Sequence, residues 1–342
     1  MRSPIRSGAR GGMTPRRRVL LAGLAGVILL LMPLLLAPYP LITLSYALIF
    51  SIACLGLNLL FGTTGLLSLG HAAYFGVGAY AGGFLYYFVP LTSLEVYLLS
   101  GVVASTALAA ILGFVCVRAT RIHFTILTLA FAQMIHSLFI SGAAFRPFGG
   151  VGKGLYLLGE GGLYIPRFTI LGTEVAPGPF IPVFYYVIVV AFFGSLGLLW
   201  RIGRSPFGMA LRAIRDNDTR AAFIGIPVRR YRWQAFVLSG LVTGLAGGLY
   251  GQLSRQITPE QLHWLFSAQL VLAIILGGTR QFLGPVAGAF GFAVLEDLSS
   301  RVTEYRGLVL GLLLVAVVFV FPGGLAGAAT RLASRWFRPA RA

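Results

Sequence analysis

Charge is what this sequence has least of. Of its 342 residues 27 are basic and 9 acidic, a charged share of 11% where a soluble domain carries about 25%. That scarcity excludes a soluble enzyme. Cysteine is almost missing as well: Cys54 and Cys116 each sit inside an apolar run, too few for a disulfide framework or a metal cluster. The four histidines, His71, His123, His136 and His263, show no metal-ligand spacing, so no metal site is expected. A phosphate loop is missing too. The segment around Gly152 and Lys153 comes nearest, but Pro147 stands where the loop needs its first Gly, and Gly154 where it needs Ser or Thr. None of the nine acids falls in the middle of an apolar run, which weakens an ion-driven carrier, since such carriers bury acids at membrane depth. Without paired carboxylates, an activated nucleophile or a cofactor motif, the chain is not expected to be an enzyme or to hold a cofactor.

What is abundant is apolar sequence: 57% hydrophobic residues and a mean hydropathy of +0.86. A spanning helix needs about 20 mostly apolar residues. Runs near that size recur at 19–37, 41–61, 71–89, 96–117, 123–144, 182–200, 233–253, 267–278, 283–298 and 307–322. The expected fold is an all-α polytopic membrane bundle of eight to ten transmembrane segments. The runs at 267–278 and 283–298 are short and separated by Gly277, Gly278, Gly284 and Pro285, the pattern of broken or re-entrant helices. A similar break lies in 62–83, and Leu69-Gly70-His71 there parallels Leu283-Gly284-Pro285, a weak sign of an internal repeat. Glycines four apart (Gly78 and Gly82; Gly240, Gly244 and Gly248; Gly284 and Gly288) mark faces for close helix contact, whether sliding or static.

The formal net charge of +18 could suggest nucleic acid, but the cations are confined to short segments between apolar runs, as membrane topology requires. No nucleic-acid partner is expected. The arginines before residue 19 also fit a signal peptide, but Pro38 and Pro40 stand where cleavage would need small residues, which favours an uncleaved first span. With the N-terminus inside, 21 of the 27 cations fall on the inner side. The chain then divides into a basic cytoplasmic tail (1–18), a transmembrane domain (19–322) with an inner loop at 201–232 and an outer loop at 145–181, and a second basic cytoplasmic tail (323–342).

The inner loop at 201–232 carries the most information. Ser205 reads as an N-cap followed by Pro206 at the first helical position, and MALRAIRD continues the helix. Asp218 is expected to cap a second short helix that Gly225 and Pro227 end. Two short amphipathic helices should lie along the inner membrane face. They could bind anionic lipid head groups, yet the sharp start, the small residues and Asp216 suit docking in another protein's groove better.

Three motifs carry a family resemblance: SPFGMALRAIRDNDTRAAFIGIPVRRYR (205–232), LNLLFGTTGLLSLGHAAYFGVGAYAGG (57–83) and LAIILGGTRQFLGPVAGA (272–289). Together they resemble the branched-chain amino acid ABC transporter permeases, in their LivM-like branch, from about Leu44 to Leu325. One departure is the outer segment Gly149–Leu155, where a usual Asp or Asn is replaced and Lys153 appears. The branch includes permeases resembling those for urea, amides and other small solutes. The resemblance implies import of branched-chain or related small amino acids across a bacterial inner membrane. It also implies three kinds of partner besides the lipid bilayer: two cytoplasmic ATP-binding subunits, a second homologous permease and an extracytoplasmic substrate-binding protein. It implies that Ser205, Pro206, Gly208, Arg212, Arg215, Asp216, Arg220 and Gly225 transmit ATPase motion. For the translocation pathway, the polar in-span residues Asn58, Ser68, His71, Thr128, Gln133, His136 and Gln269 are candidates, with Thr243 possible and Asn58, Ser68 and His71 foremost.

Overall fold

The computed structural model describes residues 15–89, 93–119, 122–141, 162–169, 172–173, 180–279, 281–302, 305–320 and 324–327. The basic residues ahead of Pro15, the Gly149–Leu155 departure and the tail beyond 327 lie outside the described residues. Each of the ten apolar runs forms a helix: α1 (Pro15–Leu35), α2 (Pro38–Thr64), α3 (His71–Phe88), α4 (Leu94–Cys116), α5 (Ile122–Ile140) and α6 (Phe180–Arg204). After the inner loop follow α9 (Val228–Ser254), α10 (Trp264–Gly277), α11 (Gly284–Val302) and α12 (Arg306–Val320). The inner loop itself forms α7 (Pro206–Asp216) and α8 (Asp218–Phe223). The protein is an all-α polytopic membrane bundle, and α2, α4, α5, α6 and α9 are long and apolar enough to cross a membrane.

Helix α9 is the hub, packed on α2, α3 and α4. Its small residues make this possible: a Cβ at Gly78 of α3 would collide with the backbone of Gly244, and one at Gly244 with Ser105 of α4. A Cβ at Gly101 of α4 would strike the Gly78 carbonyl. Three helices thus meet backbone to backbone, where van der Waals contact rather than burial from water supplies the attraction.

Both Gly-rich breaks are present. Helix α2 stops at Gly65, whose φ of 75° is left-handed, and α3 restarts only at His71. Irregular backbone at membrane depth is tolerated where protein encloses it. Here Leu69 N–H donates to Thr128 Oγ1 (3.2 Å) and Thr125 Oγ1 donates to Leu67 O (2.8 Å). The second break follows Gly278, at φ 103°. Helix α10 has 14 residues, roughly 21 Å at 1.5 Å per residue, short of the ~30 Å hydrocarbon core. It folds back on α11, and a Cβ at Gly277, Gly284 or Gly288 would strike the opposing backbone.

Two features depart from the sequence expectation. Asn217, not Asp218, caps α8: its Oδ1 accepts from Arg220 N–H (2.9 Å). Asp218 is the first helical residue; its Oδ1 accepts from Thr219 N–H (2.9 Å) and its Oδ2 pairs with Arg232 at 3.1 Å. The described residues 162–169 of the loop between α5 and α6 also pack against the end of α9. A two-residue strand β1 (Leu163–Tyr164) pairs antiparallel with β2 (Gln256–Ile257), just beyond α9. Leu163, Ile165 and Phe168 are buried there, and Gln252 Nε2 donates to Pro166 O (3.2 Å).

Candidate functional site

At the end of the bundle where α2 and α6 stop and α9 begins, the chain makes an elbow. Ser205 leaves the helical path at φ −73° and ψ 164°. Its Oγ donates to Ile202 O (2.7 Å) and accepts from Gly208 N–H (3.3 Å), closing α6 and starting α7 with one side chain. Pro206 follows at the first helical position, where its missing N–H costs nothing. Helix α7 turns Gly208, Leu211 and Ile214 inward on one face. The fit at Gly208 is backbone against backbone: a Cβ there would lie 2.7 Å from Gly203 O and nearer still to Ile202 O.

Two arginines fasten α7 to the helices above it. Arg212 Nη1 donates to Gly203 O (2.8 Å) in the last turn of α6, and Arg215 Nη1 donates to Gly62 O in the last turn of α2. Both acceptors belong to last-turn carbonyls that have no partner within their own helix, where a cation also meets the negative end of the dipole. A third tie comes from the Asp218–Arg232 pair: Arg232 lies near the start of α9, with its side chain 9% exposed. The elbow is therefore joined to α2, α6 and α9 together. Its tip points away: Asp216, Arg220 and Gly225 are exposed, Gly225 turns at φ 86°, and Phe223 and Ile224 are 87% and 74% exposed.

The in-span polar residues fall into two groups. Ser68, His71 and Thr128 are sealed, at 2% exposure or less. His71 Nε2 lies 2.7 Å from Ser239 Oγ of α9. That hydroxyl in turn donates to Gly56 O of α2 (2.6 Å). Because its proton is used on Gly56, Ser239 can only accept from His71, so the ring carries its proton on Nε2. Nδ1 is then an acceptor, and Ser68 Oγ, 3.1 Å away, donates to it. Ser267 of α10 completes the joint by accepting from Ala72 N–H (2.7 Å). The break between α2 and α3 is thus bound to α9, α5 and α10.

Asn58, Gln133, His136 and Gln269 form the half-buried group. Asn58 lines a cavity of ≈ 280 Å³ beside the elbow. Gln133 Nε2 contacts His136 Nδ1 at 3.4 Å, and the His136 ring meets that of His263 with centroids 4.8 Å apart. Thr243 spends its hydroxyl on Ser239 O (2.9 Å). The structure gathers the first group at the α2–α3 break, and in the second it pairs Gln133 with His136. Ser239, Ser267 and Arg232 were not singled out by the sequence. For the two serines, position on the small-residue face of α9 or at the start of α10 was the available signal.

Comparison with known proteins gives a consistent picture. A family model described as branched-chain amino acid transport system / permease component matches residues 39–318. The high-affinity branched-chain amino acid transport system permease protein LivM of Escherichia coli is 26% identical over 290 residues, 81% of this chain and 67% of LivM. The corresponding LivH protein of Salmonella typhimurium is 32% identical over 141 residues, 41% of this chain and 46% of LivH. The L-arabinose ABC transporter permease protein AraH of Azospirillum brasilense is 28% identical over 229 residues, 64% of this chain and 62% of AraH. No solved structure matches.

Proposed function

The chain belongs to the family of permease components of branched-chain amino acid transport systems, and from that premise we propose that it is the membrane-spanning permease subunit of an ATP-driven importer of branched-chain or related small amino acids. One observation carries the reading. The elbow at 205–225 is tied to α2, α6 and α9 at once, while its tip offers an exposed apolar pair, Phe223 and Ile224, flanked by Asp216 and Arg220. A partner that grips this tip on the cytoplasmic side moves three helices together. Two separate ATP-binding subunits supply that grip, a second homologous permease completes the bundle, and an extracytoplasmic binding protein delivers the cargo.

In this mechanism the protein does no covalent chemistry. Closure of the nucleotide-binding subunits displaces the elbow. Ser205, Pro206, Gly208, Arg212 and Arg215 hold it against α6 and α2, so the displacement reaches the bundle instead of bending the loop. Asp216, Arg220 and Gly225 face the partner. Two access states then exchange as a bistable packing. We assign Asn58, Gln133, His136 and Gln269 to the pathway. The sealed group of Ser68, His71 and Thr128 is assigned to the joint about which α3 moves, and these residues reach the pathway only when that joint opens. The N- and C-termini lie in the cytoplasm and the membrane is the bacterial inner membrane, which the placement of 21 of 27 cations supports.

The test is replacement of Arg215 and Asp216 together in the assembled importer, expecting loss of uptake with membrane insertion intact. Undiminished uptake overturns the coupling role, and uptake by this chain alone in vesicles overturns the need for ATPase subunits. The similarity to AraH favours a second cargo reading, a sugar or other small solute. Binding of leucine against arabinose to the partner binding protein separates the two.

A further inference from the structure

The cavity beside the elbow carries three arginines whose charge the fold does not neutralise. It lies between the last turns of α2 and α6, α7, and Thr279, Gln281 and Phe282, with a volume of ≈ 280 Å³ and Arg204, Arg212, Arg215 and Trp200 in its wall. None of its described lining residues is acidic. Arg212 and Arg215 each give one N–H to a helix-terminal carbonyl, and a guanidinium has five to give. Arg204 stacks on Trp200, its Cζ 4.5 Å from the ring centroid. The two helix ends above contribute about −0.5 each, which leaves roughly +2 of the three guanidinium charges unbalanced. Arg204 and Arg212 are exposed and Arg215 is half-buried, so this surplus faces an open concavity that an anion can enter.

The surroundings indicate which anion. Trp200 is 50% exposed, and Phe282 and Leu283 at the edge are 37% and 56% exposed, apolar groups beside the last turns of α2 and α6. Trp beside Arg at a helix end is the composition of the head-group layer, and basic pockets between helices there hold phosphate head groups. We propose that this cavity is a binding site for the phosphodiester of an anionic phospholipid from the inner leaflet, seated between α2, α6 and α7. The bound lipid would add its charge to the joint through which the elbow is held.

The site is tested on the purified full chain, so a failed transport reading leaves the result untouched. The chain is titrated with phosphatidylglycerol or phosphatidylcholine in detergent, and retained lipid is counted by native mass spectrometry. Wild type should retain phosphatidylglycerol preferentially. R204Q/R212Q should weaken that preference by about thirtyfold, at roughly fivefold per interfacial cation removed. R204K/R212K, which keeps the charge, should retain most of it, and unfolding midpoints of both variants confirm that the fold survives. Equal retention of the two lipids by wild type, or an unchanged preference in R204Q/R212Q, overturns the proposal. Displacement of phosphatidylglycerol by millimolar inorganic phosphate also overturns it, since the site would then take a free anion.

Discussion

A methyl group at Gly208 should separate the elbow from the bundle. Its Cβ would sit 2.7 Å from Gly203 O and closer to Ile202 O, with both obstacles backbone atoms that cannot swing aside. A carbon needs roughly 3.5 Å from such an oxygen, so α7 must lift by about 1 Å. Overpacking of this kind costs about 1–3 kcal/mol, and the same lift stretches the Arg212–Gly203 bond beyond its 2.8 Å. Between the docked and lifted elbow this is roughly a 5- to 150-fold change in ratio. Gly208→Ala is therefore expected to reduce uptake by the assembled importer severalfold, and Gly208→Val to abolish it, with ATP hydrolysis by the ATPase subunits persisting uncoupled. Gly197→Ala on the same α6 is the control, because no atom lies within 4 Å of its added Cβ, and it should match wild type. Wild-type uptake by Gly208→Val would refute the idea that close backbone contact at this seam transmits force.

Other substitutions probe the joints one at a time. Ser239→Ala leaves the His71 Nε2 proton without a partner and removes a second donor from Gly56 O; the one unsatisfied buried group costs about 1–3 kcal/mol, to be read as a lowered unfolding midpoint in lipid nanodiscs. Asp218→Asn removes the carboxylate from the 9%-exposed Arg232 side chain and should cost about 1.5–3 kcal/mol, as a hydrogen bond to a charged group does, with the start of α9 gaining amide exchange. Gly244→Leu drives a side chain into Ser105 and toward Gly101, so the meeting of α3, α4 and α9 should fail and folded yield after detergent extraction should fall sharply.

The helices were legible because a span needs its own apolar run whatever surrounds it, and all ten runs became helices within a few residues of their sequence limits. The start of α7 was legible for a similar reason: Ser205-Pro206 is a local signal that needs no distant partner. What the sequence withheld was pairing across distance. Nothing local links Ser239 to Gly56, 183 residues away, or Gln252 to Pro166. Single hydroxyls and amides leave no periodic trace of their partners. Asp218 was misread as a cap because Asp is a good capping residue. Asn217 before it takes the cap, and the buried Arg232, fourteen residues on, claims the carboxylate. Ser68, His71 and Thr128 are pathway candidates by sequence because polar groups in spans suit a cavity. Here Ser68 bonds to His71, His71 to Ser239, and Thr128 to the Leu69 N–H within the first of the two breaks, and a hydrogen-bonded break and a polar lining draw on the same residue types.

The most direct test of the account is the side of the membrane on which the tip of the elbow lies. Cys54 and Cys116 are both fully buried, so a cysteine placed at Phe223, a position 87% exposed, reports with little background. A membrane-impermeant maleimide should leave Phe223→Cys unlabelled in intact cells and label it fully in inside-out vesicles, with Tyr164→Cys giving the opposite pattern. Labelling of Phe223→Cys in intact cells would put the tip outside, beyond the reach of any cytoplasmic ATPase, and would contradict the account at its root.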